Sequence, residues 1–454
     1  MSEYLPEEVL IEIFLKLPTK SIIQCTSVCK SWYSLITSPN FISAHLNNQD
    51  DYLLVRHCSG EPVKEFYALF CDNENFDQYA QFDFPFECET HFNIVGSCNG
   101  LLCLSDDLWG YRDHYYIWNP SIKKSVKLSE PIFIFRTHCP FDHTLGFGFD
   151  SVTNDYKVVR IVHTGFSTDK VPPGVEVFKL STGVWQDITP VSPSCLFVPK
   201  TPGFYMNGAC HWVASKRKGG ESQNMIVLFD VHGETFWEMM VPDSLVRKFS
   251  GFFCEGFVLF VSNGSLCLAD SSSGNDKTID IWMMKEYGDP ESWVKQFSIS
   301  SRDISFNVGV VDEIFSLFNG GRQRQVAHFL VKPIASRKNG KILWRADNGL
   351  LVSYDPVAEK IKNLGIHNAN CLTYRNALYV NTYKVSLILL GKLTDNSAGD
   401  TCEDLSSLCK KEAKGGRKFH KGNTKRGLRV VSPLHISRLM YMSRMKAKRL
   451  RMIK

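Results

Sequence analysis

Apolar residues in the first 46 positions recur at helical spacing. From Val9 they fall at Val9, Leu10, Ile13, Phe14 and Leu17, the rhythm that lines one face of a helix. Pro6 suits the first helical position, and Glu7 and Glu8 stand where carboxylates favour the positive helix end. Pro18 stops this helix, because a proline in its interior would remove a donor and clash with the preceding turn. A second helical stretch is expected through Ile22, Cys25, Val28, Cys29, Trp32 and Ile36, ended by Ser38-Pro39-Asn40, with a last turn over Phe41 to Leu46. Domains of about 60 residues are already marginal, so a shorter unit with this much apolar surface needs something to pack on. That surface is another chain or, failing that, the protein's own body.

From about Tyr52 to Leu390 the period changes to two. Leu145, Phe147 and Phe149 alternate up to the turn Asp150-Ser151-Val152-Thr153-Asn154-Asp155, and Tyr156 and Val158 resume the alternation, which predicts a hairpin. Val175 to Leu180 runs through Ser181-Thr182-Gly183 into Val184-Trp185, a second hairpin with a polar, glycine-containing turn. No long amphipathic helix is expected here.

The strand pairs also repeat. Asn99-Gly100, Asn207-Gly208, Asn263-Gly264 and Asn348-Gly349 each introduce an apolar strand, followed by a second strand that ends at Trp118-Asn119-Pro120, Phe229-Asp230, Trp282 or Tyr354-Asp355-Pro356. Between Trp118, Phe178, Phe229, Trp282 and Tyr354 the steps are 60, 51, 53 and 72 residues. Propeller repeats run to roughly 40 to 50 residues before loops lengthen them. The expected fold is therefore a small all-α unit followed by an all-β domain, a β-propeller of about six blades closed by strands between Asn370 and Leu390. A β-sandwich pair is the alternative.

The first segment resembles an F-box, the helical module by which substrate receptors dock onto the Skp-type adaptor of a cullin-based ubiquitin ligase. Leu5-Pro6, Val9, Ile13, Leu17-Pro18, Val28-Cys29-Lys30, Trp32 and Leu35-Ile36 carry the resemblance; Cys25 and Tyr33 depart from it, without adding a buried charge. It implies an adaptor-binding face of Leu5, Pro6, Val9, Ile13, Leu17, Pro18, Val28 and Trp32. The β region resembles the F-box-associated domain of plant F-box proteins, a family that includes S-locus F-box proteins and regulators of defence-receptor turnover. Its marks are Ser97-Cys98-Asn99-Gly100-Leu101-Leu102-Cys103, Trp118-Asn119-Pro120, Leu145-Gly146-Phe147-Gly148-Phe149-Asp150, Asp155-Tyr156-Lys157-Val158-Val159, Val175-Glu176-Val177-Phe178 with Trp185, and Asn207-Gly208-Ala209-Cys210-His211-Trp212. Together the two resemblances span residues 4 to 390. They imply a substrate-recognition subunit of a Skp-cullin-F-box ligase, whose β domain holds the protein to be ubiquitinated. The competing reading is a non-ligase scaffold or nuclear binding protein.

Composition narrows the remaining classes. The chain has 454 residues, 44% of them hydrophobic, and 15 cysteines without paired Cys-x-x-Cys sets, which reads as buried thiols in a reducing compartment, cytoplasm or nucleus. The acidic start lacks a signal-peptide pattern, and uncharged apolar runs such as Phe257 to Val261 and Val385 to Leu390 fall short of the roughly 18 residues that span a bilayer. No nucleophile elbow, phosphate-cradling glycine loop or metal-ligand spacing accompanies His211, so a structural histidine beside Trp212 is expected, and Cys98 and Cys103 read as buried thiols. The chain is thus expected to be a non-catalytic receptor without a cofactor. Target contacts are expected on β-domain loops: Asp107 to His114 with Trp109 and Tyr111, Lys216-Arg217-Lys218, and Phe318 to Arg324 with Arg322 and Arg324, since exposed aromatic and Arg residues often dominate binding.

Charge divides the chain. Residues 410 to 454 hold 16 Lys or Arg against one acid, Glu412, a local +15; with +5 overall, residues 1 to 409 carry −10. The basic tail follows a polar linker, Asp395 to Asp400, and reads as disordered or partly helical: a patch for nuclear import or phosphate-directed nucleic-acid contact, a basic amphipathic helix for acidic membranes or calmodulin-like partners, or simply a disordered extension. The expected divisions are 1–47, 48–392 and 393–454.

Overall fold

A computed structural model describes residues 5–59, 64–86, 92–106, 114–134, 138, 141–164, 172–198, 201, 203–218, 221–246, 248–249, 256–271, 278–304, 331–346, 349–368 and 378–390. The N-terminal module contains four helices: α1 (Glu7–Leu15), α2 (Thr19–Cys25), α3 (Lys30–Ile36) and α4 (Pro39–Asn47). Pro6 caps α1 from just outside, and α1 ends before Pro18. The second periodic stretch is two helices rather than one, because the chain extends at Cys29 (φ −157°, ψ 164°) before re-entering α3. Pro39 opens α4 instead of breaking a helix. It occupies the first helical turn, where no amide donor is missed, and the Ser38 hydroxyl accepts the Phe41 N–H at 3.2 Å.

Six antiparallel sheets follow. Blade 1 contains β1 (Tyr52–Ser59), β2 (Lys64–Phe70) and β3 (Gln78–Phe82). Blade 2 is β4 (Asn93–Cys98), β5 (Leu101–Ser105), β6 (Tyr115–Asn119) and β7 (Lys124–Lys127). Blade 3 is β8 (Phe141–Asp150), β9 (Asp155–Thr164), β10 (Gly174–Lys179) and β11 (Val184–Asp187). Blade 4 splits its inner strand into β12 (Leu196–Phe197) and β13 (Phe204–Met206), followed by β14 (Ala209–Lys218), β15 (Glu221–Asp230) and β16 (Thr235–Met239), with β17 (Lys248–Phe249) paired to β15. Blade 5 is β18 (Phe257–Ser262), β19 (Ser265–Asp270), β20 (Thr278–Met284) and β21 (Trp293–Ser300); blade 6 is β22 (Lys332–Ser336), β23 (Ile342–Arg345), β24 (Leu350–Asp355) and β25 (Lys360–His367). The last strand, β26 (Tyr379–Tyr383), pairs with β1 from Tyr52↔Tyr383 to Arg56↔Tyr379 and becomes the inner strand of blade 1. Ring closure thus joins the two ends of the β domain. Successive blades touch through their inner strands all the way round, first strand to first strand except where β14 of blade 4 meets β18 of blade 5, which excludes the β-sandwich pair.

Each sheet is buried on both faces. Leu145, Phe147 and Val158 of blade 3 pack against blade 2, while Val159, Ile161 and Val177 of the same blade pack against blade 4. Every pair of neighbouring blades encloses a core of this kind. Trp118, Phe178, Phe229, Trp282 and Tyr354 stand on β6, β10, β15, β20 and β24, the third strand of five blades, so their spacing measures the blade.

Turns between first and second strands use left-handed pairs: Asn99-Gly100, Asn207-Gly208 and Asn263-Gly264 have φ of 52° and 78°, 49° and 78°, and 51° and 75°. Positive φ at both positions matches the twist of a two-residue hairpin. Gly349 differs, lying between the second and third strands of blade 6, and Asn348 lies outside the described residues. In blades 2, 4 and 6 the turn between third and fourth strands starts from a side-chain acceptor. Asn119 takes the Ser121 N–H, Asp230 those of His232 and Gly233, and Asp355 those of Val357 and Ala358. Four residues after each acceptor a left-handed residue, Lys123, Glu234 or Glu359, turns the chain back.

Candidate functional site

α1 has two apolar faces. Phe14 is buried against Ile22, Ile36 and Phe41, with Trp32 edge-on at 4.9 Å, whereas Leu5, Val9 and Ile13, four residues apart, are 55%, 39% and 42% exposed. Pro6 and Pro18 are exposed as well, and Val28 in the extended link before α3 is 63% exposed. Leu17 and Trp32 are half-buried and pack on the module's own core. Of the residues expected to bind an adaptor, six therefore stand in solvent and two brace them from behind. Tyr33, absent from that set, is 47% exposed on α3. The neighbouring Cys29 thiol is held below its ordinary range by the Ser31 hydroxyl, 3.1 Å away, and by the Trp32 N–H. An exposed stripe of large aliphatic side chains on so small a module leaves apolar surface that the chain itself does not cover.

The opposite side of the module sits on the propeller. α2 approaches the turn Pro120–Ile122 between β6 and β7, and Ile122, Leu387 and Leu390 pack into the helical core. The module therefore packs on the protein's own body on one side and is open to solvent on the other.

In an antiparallel blade the joins alternate ends. First-to-second and third-to-fourth turns lie at the end that carries the helices; second-to-third joins and crossovers between blades lie at the far end. Charge clusters brace both. At the far end Arg56 of β1 and Glu65 of β2 form a buried pair at 2.9 Å that also grips the crossover into blade 2: the guanidinium donates to the Phe92 carbonyl, and Glu65 accepts the Phe92 N–H at 2.6 Å. Blade 3 repeats the device. Arg160 of β9 meets Glu176 of β10 at 2.5 Å, donates to the Phe133 carbonyl at 2.6 Å, and Glu176 accepts the Ile132 N–H at 2.7 Å. Burying an Arg–carboxylate pair is tolerable only when the spare donors and acceptors are used, and the crossover backbone supplies them. At the helical end Lys157 bridges Asp150 (3.0 Å) and Glu234 (2.8 Å) between blades 3 and 4; although burial opposes it, hydrogen bonds from Thr153, Lys157 and His232 hold the Asp150 carboxyl well below the usual range.

Of the expected target-contact residues, only Lys216 and Arg217 lie among those described. Trp109, Tyr111, Arg322 and Arg324 lie outside the described residues, as does the tail beyond residue 390. Lys216 and Arg217 lie near the far end of β14, and the Lys216 ammonium pairs with Glu238 at 2.6 Å on the surface.

Elsewhere the chemistry is structural. His211 is buried on β14; its Nδ1 donates to the Phe204 carbonyl at 3.1 Å, so Nε2 accepts the Tyr287 hydroxyl at 2.7 Å, and burial lowers the imidazole to about 4. Burial pushes the Cys98 thiol up to about 12 and raises Cys103 and Cys210 further. Such thiols are poor nucleophiles and poor ligands. Among the described residues no cluster of His, Cys, Asp or Glu is arranged to hold a metal, and no helix is long and apolar enough to cross a membrane.

Comparison with known proteins agrees with this layout. Residues 3–43 match the F-box domain family, and residues 63–379 match the F-box associated beta propeller domain family. F-box protein At3g07870 of Arabidopsis thaliana is 29% identical over 390 residues, covering 80% of this chain and 88% of that protein. F-box protein CPR1 of the same plant is 26% identical over 392 residues, covering 80% and 84%, and F-box/kelch-repeat protein At3g23880 is 27% identical over 307 residues, covering 65% and 79%. With a helical module exposing an apolar stripe, a six-bladed ring behind it, and both family models matched in that order, the chain belongs to the F-box proteins that carry an F-box-associated β-propeller.

Proposed function

We propose that the protein is the substrate-recognition subunit of a Skp-cullin-F-box ubiquitin ligase in the cytoplasm or nucleus. The carrying observation is the division of the F-box surface: Leu5, Val9, Ile13 and Val28 face solvent while Phe14, Ile22, Ile36 and Phe41 are closed against the chain itself. The outer stripe docks on the Skp-type adaptor and through it on a cullin. The far end of the propeller holds a target protein, and conjugation to it is carried out by other subunits. The chain contributes proximity: it holds an acceptor lysine near a loaded conjugating enzyme at high effective concentration. Degradation of the captured target follows from that role.

Co-purification tests the reading, since a ligase receptor carries both adaptor and cullin whereas a scaffold does not. Leu5→Ala with Pro6→Ala removes two exposed contacts, each contributing roughly 1.5 to 3 kcal/mol when covered, and is expected to weaken adaptor binding by about two decades or more. Propeller folding should be untouched. Undiminished adaptor binding by this variant would refute the docking face. For the basic tail, a fluorescent fusion truncated after Ser407 is expected to shift toward the cytosol with an unaltered unfolding midpoint.

A further inference from the structure

The F-box core does not close on its own residues. Phe14, Ile22, Ile36 and Phe41 surround Leu387, which is fully buried and comes from the last described segment of the chain. Leu387 stands four residues beyond the end of β26, the strand that closes the ring on β1. Between the two, the chain is tied to blade 2 at several points. The Tyr383 hydroxyl donates to the Gly100 carbonyl at 3.1 Å, and the Asn119 side-chain amide donates to the carbonyls of Ser386 (3.0 Å) and Ile388 (2.8 Å). Leu389, next after Ile388, turns into the core between blades 2 and 3. The strap lies so close to the Asn99-Gly100 turn that a Cβ on Gly100 would stand 2.4 Å from the Lys384 carbonyl and from the Ser386 Cβ. Residue 387 is thus delivered to a core built from residues 14 to 41 by way of β26 and blade 2.

We propose that the strap Lys384 to Leu390 makes the adaptor-competent F-box conditional on closure of the propeller. Val9 and Ile13 of the outward stripe share α1 with Phe14, so the peg that supports the inner face of α1 also sets the outer one. A module of this size is marginal without added packing. A chain whose ring has not closed leaves the Leu387 site empty, and its F-box frays rather than docks. Incomplete receptors would then be kept off the ligase. The consequence for docking rests on the proposed adaptor role; the coupling itself does not.

Hydrogen exchange on the full chain, with adaptor affinity measured in parallel, tests both. Leu387→Ala should speed exchange in α1 to α4, leave blades 3 to 5 at wild-type protection, and weaken adaptor binding about tenfold or more. Leu387→Met, which conserves volume, should restore both. Val380→Pro, placed in β26 and away from every F-box residue, should free β1 and β26 and, with them, α1 to α4. Wild-type protection of the helices in Leu387→Ala, or in Val380→Pro while β26 exchanges freely, overturns the proposal. So does loss of protection spread equally into blades 3 to 5 of Leu387→Ala, because Leu387 would then hold the ring and not the F-box. A wild-type chain that bound no adaptor would sink the docking role, while the exchange data would still decide the coupling.

Discussion

The two ends of the propeller are made by the same strands but by different means. At the helical end left-handed Asn-Gly pairs and the side chains of Asn119, Asp230 and Asp355 set individual turns, while Lys157 with Asp150 and Glu234, and Arg337 with Asp72, tie neighbouring blades. At the far end two crossovers are gripped by buried ion pairs, Arg56–Glu65 and Arg160–Glu176. At these two crossovers the step to the next blade is held by residues distant in the sequence, whereas the individual turns are set by side chains within a few residues. The turn end also carries the helical module, through Ile122, Leu387 and Leu390.

The largest expected effect is at the far end. Glu176→Ala leaves Arg160 buried without its carboxylate and should cost about 3 to 5 kcal/mol, read as a lower urea midpoint. Replacing both partners, Arg160→Met with Glu176→Leu, should recover most of that loss. If the single variant is as stable as wild type, the far end is not tied as described.

Two glycines sharpen the helical end. Gly100 and Gly208 both have φ of 78°, yet a Cβ at Gly100 meets Lys384 and Ser386 at 2.4 Å while one at Gly208 meets nothing within 4 Å. Gly208→Ala should cost about 1 kcal/mol, the price of the left-handed backbone alone. Gly100→Ala should cost more than about 2 kcal/mol, because the strap must also move. Equal thermal shifts for the two would show that the strap yields freely.

Acid is expected to strain both ends alike. His163 at the far end of β9 and His211 at the turn end of β14 are each lowered by burial to about 4. Between that value and the unfolded value near 6.5 the unfolded chain binds the extra proton, so stability present at neutral pH is lost as pH falls. Each should cost about 1 to 2 kcal/mol by pH 5, and His163→Gln or His211→Gln should flatten the slope of unfolding free energy against pH. The smallest effect is reserved for Lys216→Ala. Its pair with Glu238 is about half exposed on both sides, so removal should change stability by less than about 0.5 kcal/mol. A larger loss would mean that the surface near the far end is more tightly built than its exposure indicates.

Much of this was legible from residue order alone. Alternation at Leu145, Phe147 and Phe149 gave the β8–β9 hairpin, with Phe147 opposite Val158. The recurrence of Trp118, Phe178, Phe229, Trp282 and Tyr354 gave the blade, because each third strand meets the same environment and so keeps a large apolar residue at the same place. The helical spacing gave α1, on which Val9 and Ile13 lie exposed. Local rules misread Pro39 only because a proline that ends one helix is equally fit to begin the next.

Tertiary structure decided what no local pattern encodes. Periodicity marks an apolar position but not its partner, so it could not separate Trp32, braced on Phe14, from Val28, left in solvent. Arg56 with Glu65 and Arg160 with Glu176 look like ordinary strand charges until the crossovers fold over them. Leu387 is the extreme case. It lies 346 residues (387 − 41) from Phe41, the nearest in sequence of the buried apolar helical residues whose core it fills, and only closure of the ring brings it there. The sequence by itself determined the helices, the strands and the turns, whose causes lie within a few residues; burial and ion pairing depend on which surfaces meet, and the ring alone settles that.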